Sequence, residues 1–381
     1  HVGLEKVISE VEAYLLGQES SLPTPVLYRD FIGHTLHEQS INDSATYFKE
    51  LLGDIDEPTY PFGLSDIRGN GNDIEESRIV LASSLSKEVR EVSTNLGMSP
   101  AVLFHAAYGL VVGKCSNKEY AIFGSLFSGR LQGSLGAADS LGLFINTLPF
   151  LAELKGSVSD YVSEIKNRLG TLLSYEQTPL SSVQGWSGIS NEVSLFSALL
   201  NFRHSSSVLE EASSDSVDLG ITVIGSEERT NYPLTLNVDD YGVDFGLTAQ
   251  VESSVGSDRV LFYMEATLTA LLEGLKTEAF QVSDLDVLPE SEVQELLEVF
   301  NDTSVSYPSD VTFLDLFSTQ VKSSAKSIAV VYQGEQLSYK ELDQRSNQLA
   351  RYLRAEGVVS DTLVGICTVS YTHLTLPTSP K

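Results

Sequence analysis

From Val2 to Leu16 apolar residues return every three or four positions, at Leu4, Val7, Ile8, Val11 and Leu15, and the run stops at Gly17. That is the period of one helical face, closed by a residue that leaves a helix easily. Pro23 and Pro25 then force an extended connection, because each disfavours helical backbone at the residue before it. The same reading predicts a helix over Asp43–Leu52, a loop at Asn70–Asp73, and a strand at Ser77–Leu81. Helices follow at Lys87–Leu96 and Pro100–Lys114, the second with Ser99 as N-cap and proline at its first position. Tyr120–Gly124 reads as a buried strand, Ser159–Ser174 as a helix with Tyr161, Ile165, Leu169 and Leu172 on one side, and Leu199–Arg203 as another strand. Alternation over Tyr232–Val251, broken at Asp239–Gly242, predicts a hairpin, and a long helix runs over Ser257–Leu275.

Strands and helices alternate too irregularly for a strict βαβ repeat, so the expected class is α/β in the broad sense, an α+β sandwich. After Val287-Leu288-Pro289 the texture changes to a short acidic helix and the polar stretch Asn301–Asp310. A domain boundary belongs there. Beyond it come a helix from near Thr312, a strand at Ile328–Tyr332, a turn at Gly334 and a helix over Tyr339–Ala355. Val369–Lys381 breaks every preceding pattern and resembles translated sequencing-adapter text, so it is set aside as a non-native tail. No internal repeat is present.

Composition narrows the function classes. With 52 acidic against 24 basic residues the net charge is −28, and no basic cluster exists to grip nucleic-acid phosphates. Cys115 and Cys367 are the only cysteines, far apart and among small or apolar neighbours, so neither a disulfide framework nor a metal cluster is expected. No apolar run spans a bilayer, and the expected location is cytoplasmic. His34 and His37 lie three apart with no third ligand nearby, His105 reads as a partly buried packing residue, and His204 ends a strand without an assigned role. Gly185-Trp186-Ser187-Gly188 lacks the spacing of a nucleophile elbow, and no glycine-rich phosphate loop of the G-x-x-x-x-G-K-[ST] kind occurs.

Several short phrases carry more. In order they are Tyr28-Arg29-Asp30-Phe31, then Ser128-Gly129-Arg130, then Leu141-Gly142-Leu143-Phe144-Ile145-Asn146-Thr147-Leu148, then Tyr175-Glu176-Gln177-Thr178-Pro179-Leu180, and Arg229 with Tyr232-Pro233-Leu234. Their order and spacing resemble the later motifs of condensation domains of nonribosomal peptide synthetases: YxDYA, the GR segment, IGxFVNTL, HQxxPFE (with Tyr175 in the usual His place) and RDxSRNPL. Leu337-Ser338-Tyr339-Lys340-Glu341-Leu342 with Ser346-Asn347-Gln348-Leu349-Ala350 resembles the first core motif of adenylation domains, LTYxELxxxANxLA.

The resemblance implies a chloramphenicol-acetyltransferase-like condensation lobe followed by the start of an acyl-CoA-synthetase-like adenylation domain. Its implied divisions are 1–75, the end of a first lobe; 76–285, a second lobe; 286–310, a linker; 311–368, a truncated adenylation start; and 369–381, the tail. The implied activity joins aminoacyl or peptidyl thioesters, delivered on phosphopantetheine arms of carrier domains, through an amide. A complete adenylation domain would use ATP and Mg, but no bound cofactor or metal is expected of this chain. Alternatives are an acyltransferase or epimerisation domain of the same fold, or a scaffold fragment without chemistry.

The family's HHxxxDG motif is missing. His1, with no Met before it, resembles the residue just after the motif Asp in a subgroup reading HHxxxDH, so the two motif histidines are expected upstream and no catalytic residue within the chain. Arg130 would pair with the motif Asp, with a solvated surface arginine as the other reading. Phe144, Asn146 and Thr147 would line or brace a tunnel floor, or simply pack the core. Asn201 would point into the tunnel or make a structural hydrogen bond. Tyr28, Asp30, Gly129, Gly142, Pro179, Pro233, Tyr339, Glu341, Leu342 and Asn347 are carried as motif positions.

Overall fold

A computed structural model describes residues 2–69, 71–129, 140–204, 230–277, 280–307 and 309–366. The chain divides into two compact units, His1–Asn301 and Asp302–Lys381.

In the first unit the elements run α1 (Val2–Leu15), α2 (Tyr28–Ile41), α3 (Ser44–Leu52), β1 (Ile74–Val80), α4 (Ser83–Asn95), α5 (Pro100–Cys115), β2 (Tyr120–Phe127) and β3 (Asn146–Glu153). They continue with α6 (Val158–Leu173), α7 (Leu180–Trp186), β4 (Ala198–His204), β5 (Leu234–Asp240), β6 (Phe245–Glu252), α8 (Ser257–Gly274) and α9 (Glu290–Gln294). One six-stranded mixed sheet, ordered β1-β6-β5-β4-β2-β3, carries the unit. The inner pairs β2/β4 and β4/β5 are parallel, and the outer pairs are antiparallel. This matches the α+β class expected from the sequence.

Helix α5 explains the core. Its positions from Val102 to Gly113 are all buried, so it has no polar side to offer water. Phe104 packs its ring on Phe202 of β4 and Phe245 of β6, at 5.8 and 5.0 Å. A Cβ on Gly109 would sit 2.7 Å from the Ala152 Cβ, so only glycine lets α5 close on β3. Tyr161 of α6 donates to the Ala106 carbonyl at 2.8 Å, and Ser257 at the start of α8 donates to Ser77 of β1 at 2.8 Å. Helices α5, α6 and α8 thus form one layer on the face that bears Ser77, Phe123, Phe202 and Phe245.

Local signals place most ends well. Asp43 caps α3 by accepting from Thr46 N, Ser99 caps α5, and Ser157 caps α6. Helix α2, strand β3 and helix α7 are additions to the elements expected from the sequence. In α2 only Phe31 is buried while Ile32, Leu36 and Ile41 are exposed, so no apolar stripe marks it. No single described helix is long and apolar enough to cross a membrane.

The second unit holds α10 (Phe313–Ser323), the hairpin β7 (Ile328–Tyr332) with β8 (Glu335–Ser338), and α11 (Tyr339–Ala355). Capping boxes open both helices, Thr312 with Asp315 and Ser338 with Glu341, and Gly334 takes φ +84° at the hairpin turn.

Candidate functional site

The motif phrases converge where α2 meets the loops around β2, β3 and α7. Tyr28 lays its ring on Gly142, where a Cβ would be 2.1 Å from Tyr28 Cδ2, and its hydroxyl donates to the Leu143 carbonyl. Phe31 and Phe144 complete the cluster, with centroids 4.4 Å apart and Phe144 5.2 Å from Tyr28. Phe144, only 4% exposed, braces this junction by packing.

Gly129 closes the next link. It has φ +65°, and a Cβ there would lie 2.0 Å from the Phe144 carbonyl oxygen, so the position is restricted to glycine twice over. Gln177 Nε2 donates to the Gly129 carbonyl at 3.1 Å. Asn146, the first residue of β3, donates from Nδ2 to the carbonyls of Glu176 and Thr178 at 2.8 and 2.7 Å. Both acceptor residues are buried, and Thr178 Oγ1 bonds Ser44 Oγ at 3.0 Å. Gln39 and Asn42, at and just beyond the end of α2, donate to the carbonyls of Gln177 and Ser174 at 2.8 and 3.4 Å. Residues 174–178 are thereby held from three sides, and with His34, Glu38, Gln39, Asn42 and Ser44 they line a shallow cleft. Tyr175 stacks on Tyr47, with centroids 4.5 Å apart and planes at 13°.

Other expected positions lie elsewhere. Thr147 is half-buried, its Cγ2 2.8 Å from where a Cβ on Gly124 would sit. Asp30 stays exposed beside Arg29 and joins no described cluster. Pro179 precedes the first residue of α7, and the Pro233 carbonyl accepts from Glu252 N at 2.9 Å. Asn201 donates to Asn237 Oδ1 at 2.9 Å across the β4/β5 pair. Arg130, His1 and Arg229 lie outside the described residues, as does the segment 369–381. In the second unit Tyr339 packs near Phe317, Glu341 serves its capping box, Leu342 is half-buried, and Asn347 donates to the Asp343 carbonyl at 2.9 Å.

Of the histidines, His105 is fully within the core. Its Nδ1 faces the Ala101 carbonyl at 2.7 Å and its Nε2 the Ser125 hydroxyl at 2.8 Å. Burial pushes its pKa down to about 4, so it stays neutral. His204 Nδ1 lies 3.3 Å from Asp240 Oδ2, and Arg90 bonds the other carboxylate oxygen, which holds Asp240 below the usual carboxylate range against the effect of its burial. Among the described residues no cluster of three His, Cys, Asp or Glu could hold a metal.

Gln39, Asn42 and Asn237 make contacts that the sequence does not reveal, because these depend on which carbonyl or strand lies opposite, and no local pattern records that.

The sequence matches the family described as Condensation domain over residues 6–297, and that described as AMP-binding enzyme over 317–375. It is 36% identical to malpibaldin synthetase of Mortierella alpina over 372 residues, 94% of this chain. It is 27% identical to gramicidin S synthase 2 of Aneurinibacillus migulanus over 350 residues, 89% of this chain. The chain spans only 7% of the length of the first of these relatives and 8% of the second. Among solved structures it resembles a four-domain nonribosomal peptide synthetase bound to AMP and glycine, with TM-score 0.62, 16% identity, and coverage of 84% of this chain and 25% of that one. It also resembles the first condensation domain of the CDA synthetase, with TM-score 0.55, 14% identity, and coverage of 73% and 61%. With a family match over most of its length and a sheet and helix layer of the corresponding fold, this chain belongs to the condensation-domain family.

Proposed function

We propose that these residues are part of a nonribosomal peptide synthetase module whose condensation domain joins two carrier-bound acyl groups through an amide. The acceptor amine attacks the donor thioester carbonyl, the tetrahedral oxyanion collapses, the carbon–sulfur bond breaks, and the amine's proton is taken up as the thiol leaves. Phosphopantetheine enters as the arm of partner carrier domains, so it is substrate here. The convergence of the motif loops around Gly129, Asn146 and Gln177 supports the reading, because it holds together the segments that would brace one wall of a substrate channel. Apolar residues are also exposed on α1 (Val7, Ile8, Val11 and Tyr14) and on α2 (Leu36 and Ile41), which suits surfaces completed by further protein.

We assign 1–75 and 76–285 to the two lobes, 286–310 to a linker, 311–368 to the start of an adenylation domain, and 369–381 to a non-native tail. The adenylation assignment disfavours an epimerisation domain, which ordinarily ends its module. In that reading ATP and Mg serve the adenylation domain as a whole. Arg130, Thr147 and Asn201 are assigned to the channel and its support, and the enzyme to the cytoplasm.

The chain contains no adjacent pair of histidines. Its activity as a condensation domain therefore depends on a histidine motif supplied outside these 381 residues. The test incubates this chain, and separately the chain extended at its N-terminus by the native synthetase sequence, with aminoacyl-loaded donor and acceptor carrier proteins. Amide product from the extended protein alone is expected; product from the shorter one overturns the assignment of the proton-handling group.

A further inference from the structure

We infer that Asn237 is a substrate-positioning residue, its side-chain amide oriented by Asn201 to donate to a carbonyl of an amide-bearing thioester substrate. The inference rests on the condensation reading above and deepens it.

Register places the residue. Along β4 and β5 the side chains of Leu200, Phe202, Leu236 and Val238 face the helix layer, so Asn201 and Asn237, paired across the parallel ladder, lie on the opposite face. That face is polar across four strands: Arg203 on β4, Thr235 and Asp239 on β5, Gln250 on β6 and Glu76 on β1 share it. A sheet face that only packed against a core would be apolar at these central strands.

Most of these groups satisfy one another. Arg203 bonds Asp239 through two nitrogens at 2.8 and 3.1 Å, and Gln250 donates to Glu76 at 2.8 Å. The asparagine pair differs. Asn201 Nδ2 donates to Asn237 Oδ1 at 2.9 Å, which fixes both amide planes. Asn237 Nδ2 and Asn201 Oδ1 then have no hydrogen-bond partner among the described residues, although Asn237 is only 6% exposed. Neither atom is among the fully buried unpaired polar atoms of the described residues, so both reach accessible space on this sheet face, where a rigidly held donor and acceptor are open to a ligand.

The chemistry of that ligand follows from the two atoms. One N–H donor and one carbonyl acceptor, on amides in a fixed relation, complement the carbonyl and N–H of a secondary amide. Apolar or purely ionic groups would waste one or both. β4 runs beside β2, whose C-terminal end leads into Ser128-Gly129, so Asn201 lies on the strand next to β2 and Asn237 one strand further along the sheet.

The experiment uses a catalytically competent synthetase module containing these residues and two small acceptors: an aminoacyl N-acetylcysteamine thioester, which carries a secondary amide, and the matching aminoacyl pentyl thioester, which has none. The wild type should favour the amide-bearing acceptor about tenfold in kcat/KM, the scale of one well-placed hydrogen bond, mainly through KM. Asn237→Leu should erase that preference while leaving turnover of the pentyl acceptor nearly unchanged. Asn237→Asp keeps the acceptor for Asn201 and removes the donor, and serves if the leucine variant does not fold; the same loss of preference is expected. Equal losses on both acceptors would make Asn237 structural and overturn the inference, as would a preference retained in both variants. A wild-type module that forms no amide with carrier-bound substrates would instead refute the condensation reading itself.

Discussion

Replacing Asn146 by alanine tests whether the site is built as described. Its Nδ2 supplies both hydrogen bonds from β3 to the turn ahead of α7, at 2.8 Å to the Glu176 carbonyl and 2.7 Å to that of Thr178. Glu176 and Thr178 are 1% and 4% exposed, so water cannot simply replace the lost donor. Two net hydrogen bonds at about 1 kcal/mol each, with some added cost for carbonyls left dry, give a destabilisation of about 2–4 kcal/mol. The chain's one tryptophan, Trp186, sits at the end of α7 and packs against Phe48, so its fluorescence reports on this unit and this corner of it. For a unit of this size the urea midpoint should fall by about 1 M, with the slope unchanged. Asn146→Asp should lose more, because it turns a carboxylate oxygen toward two carbonyl oxygens. A midpoint displaced by less than about 0.2 M in the alanine variant would refute the bracing role and return Asn146 to an ordinary surface turn.

Gly142→Ala should destabilise the same unit by about 1–3 kcal/mol, since the new methyl meets the Tyr28 ring at 2.1–2.7 Å. Gly33→Ala, within α2 and with open space around it, should instead stabilise by about 0.5–1 kcal/mol, and paired denaturation curves check both signs. His105 has a folded pKa of about 4, below its unfolded value, so the unfolded chain binds the extra proton first. The stability that this neutral imidazole keeps above about pH 6.5 is lost as the pH falls toward 4, by about 2–3 kcal/mol at pH 4.5. His105→Gln should remove that part of the acid sensitivity when unfolding free energies at pH 7.5 and 4.5 are compared; an unaltered difference would show that His105 titrates normally.

Legibility in the sequence follows how local the signal is. Helix α5 is readable to within a residue because proline at its start, Ser99 before it and an unbroken apolar run all act within the segment. Helix α11 is readable for the same kind of reason, with Ser338 and Glu341 marking its first turn. Helix α2 is not, since it buries a single residue and its apolar side chains mostly face outward. Four of the motif phrases prove to be neighbours in the fold, yet what holds them together is visible only in the tertiary contacts. Gly142 is where Tyr28 lies flat, and Gly129 is where the chain passes under the Phe144 carbonyl. Asn201 stands out as a polar residue in an apolar strand, whereas its partner Asn237 emerges only once the parallel β4/β5 register is known.

The all-round apolar surface of α5 has a consequence during synthesis. Its packing partners on α8 are translated about 160 residues later, which at ordinary elongation rates is about 8–30 s after α5 itself is made. Through that interval α5 has only its earlier partners on β2, β3, α6, β4 and β6. The order of synthesis therefore completes the burial of α5 in stages, with α8 supplying the last of its cover.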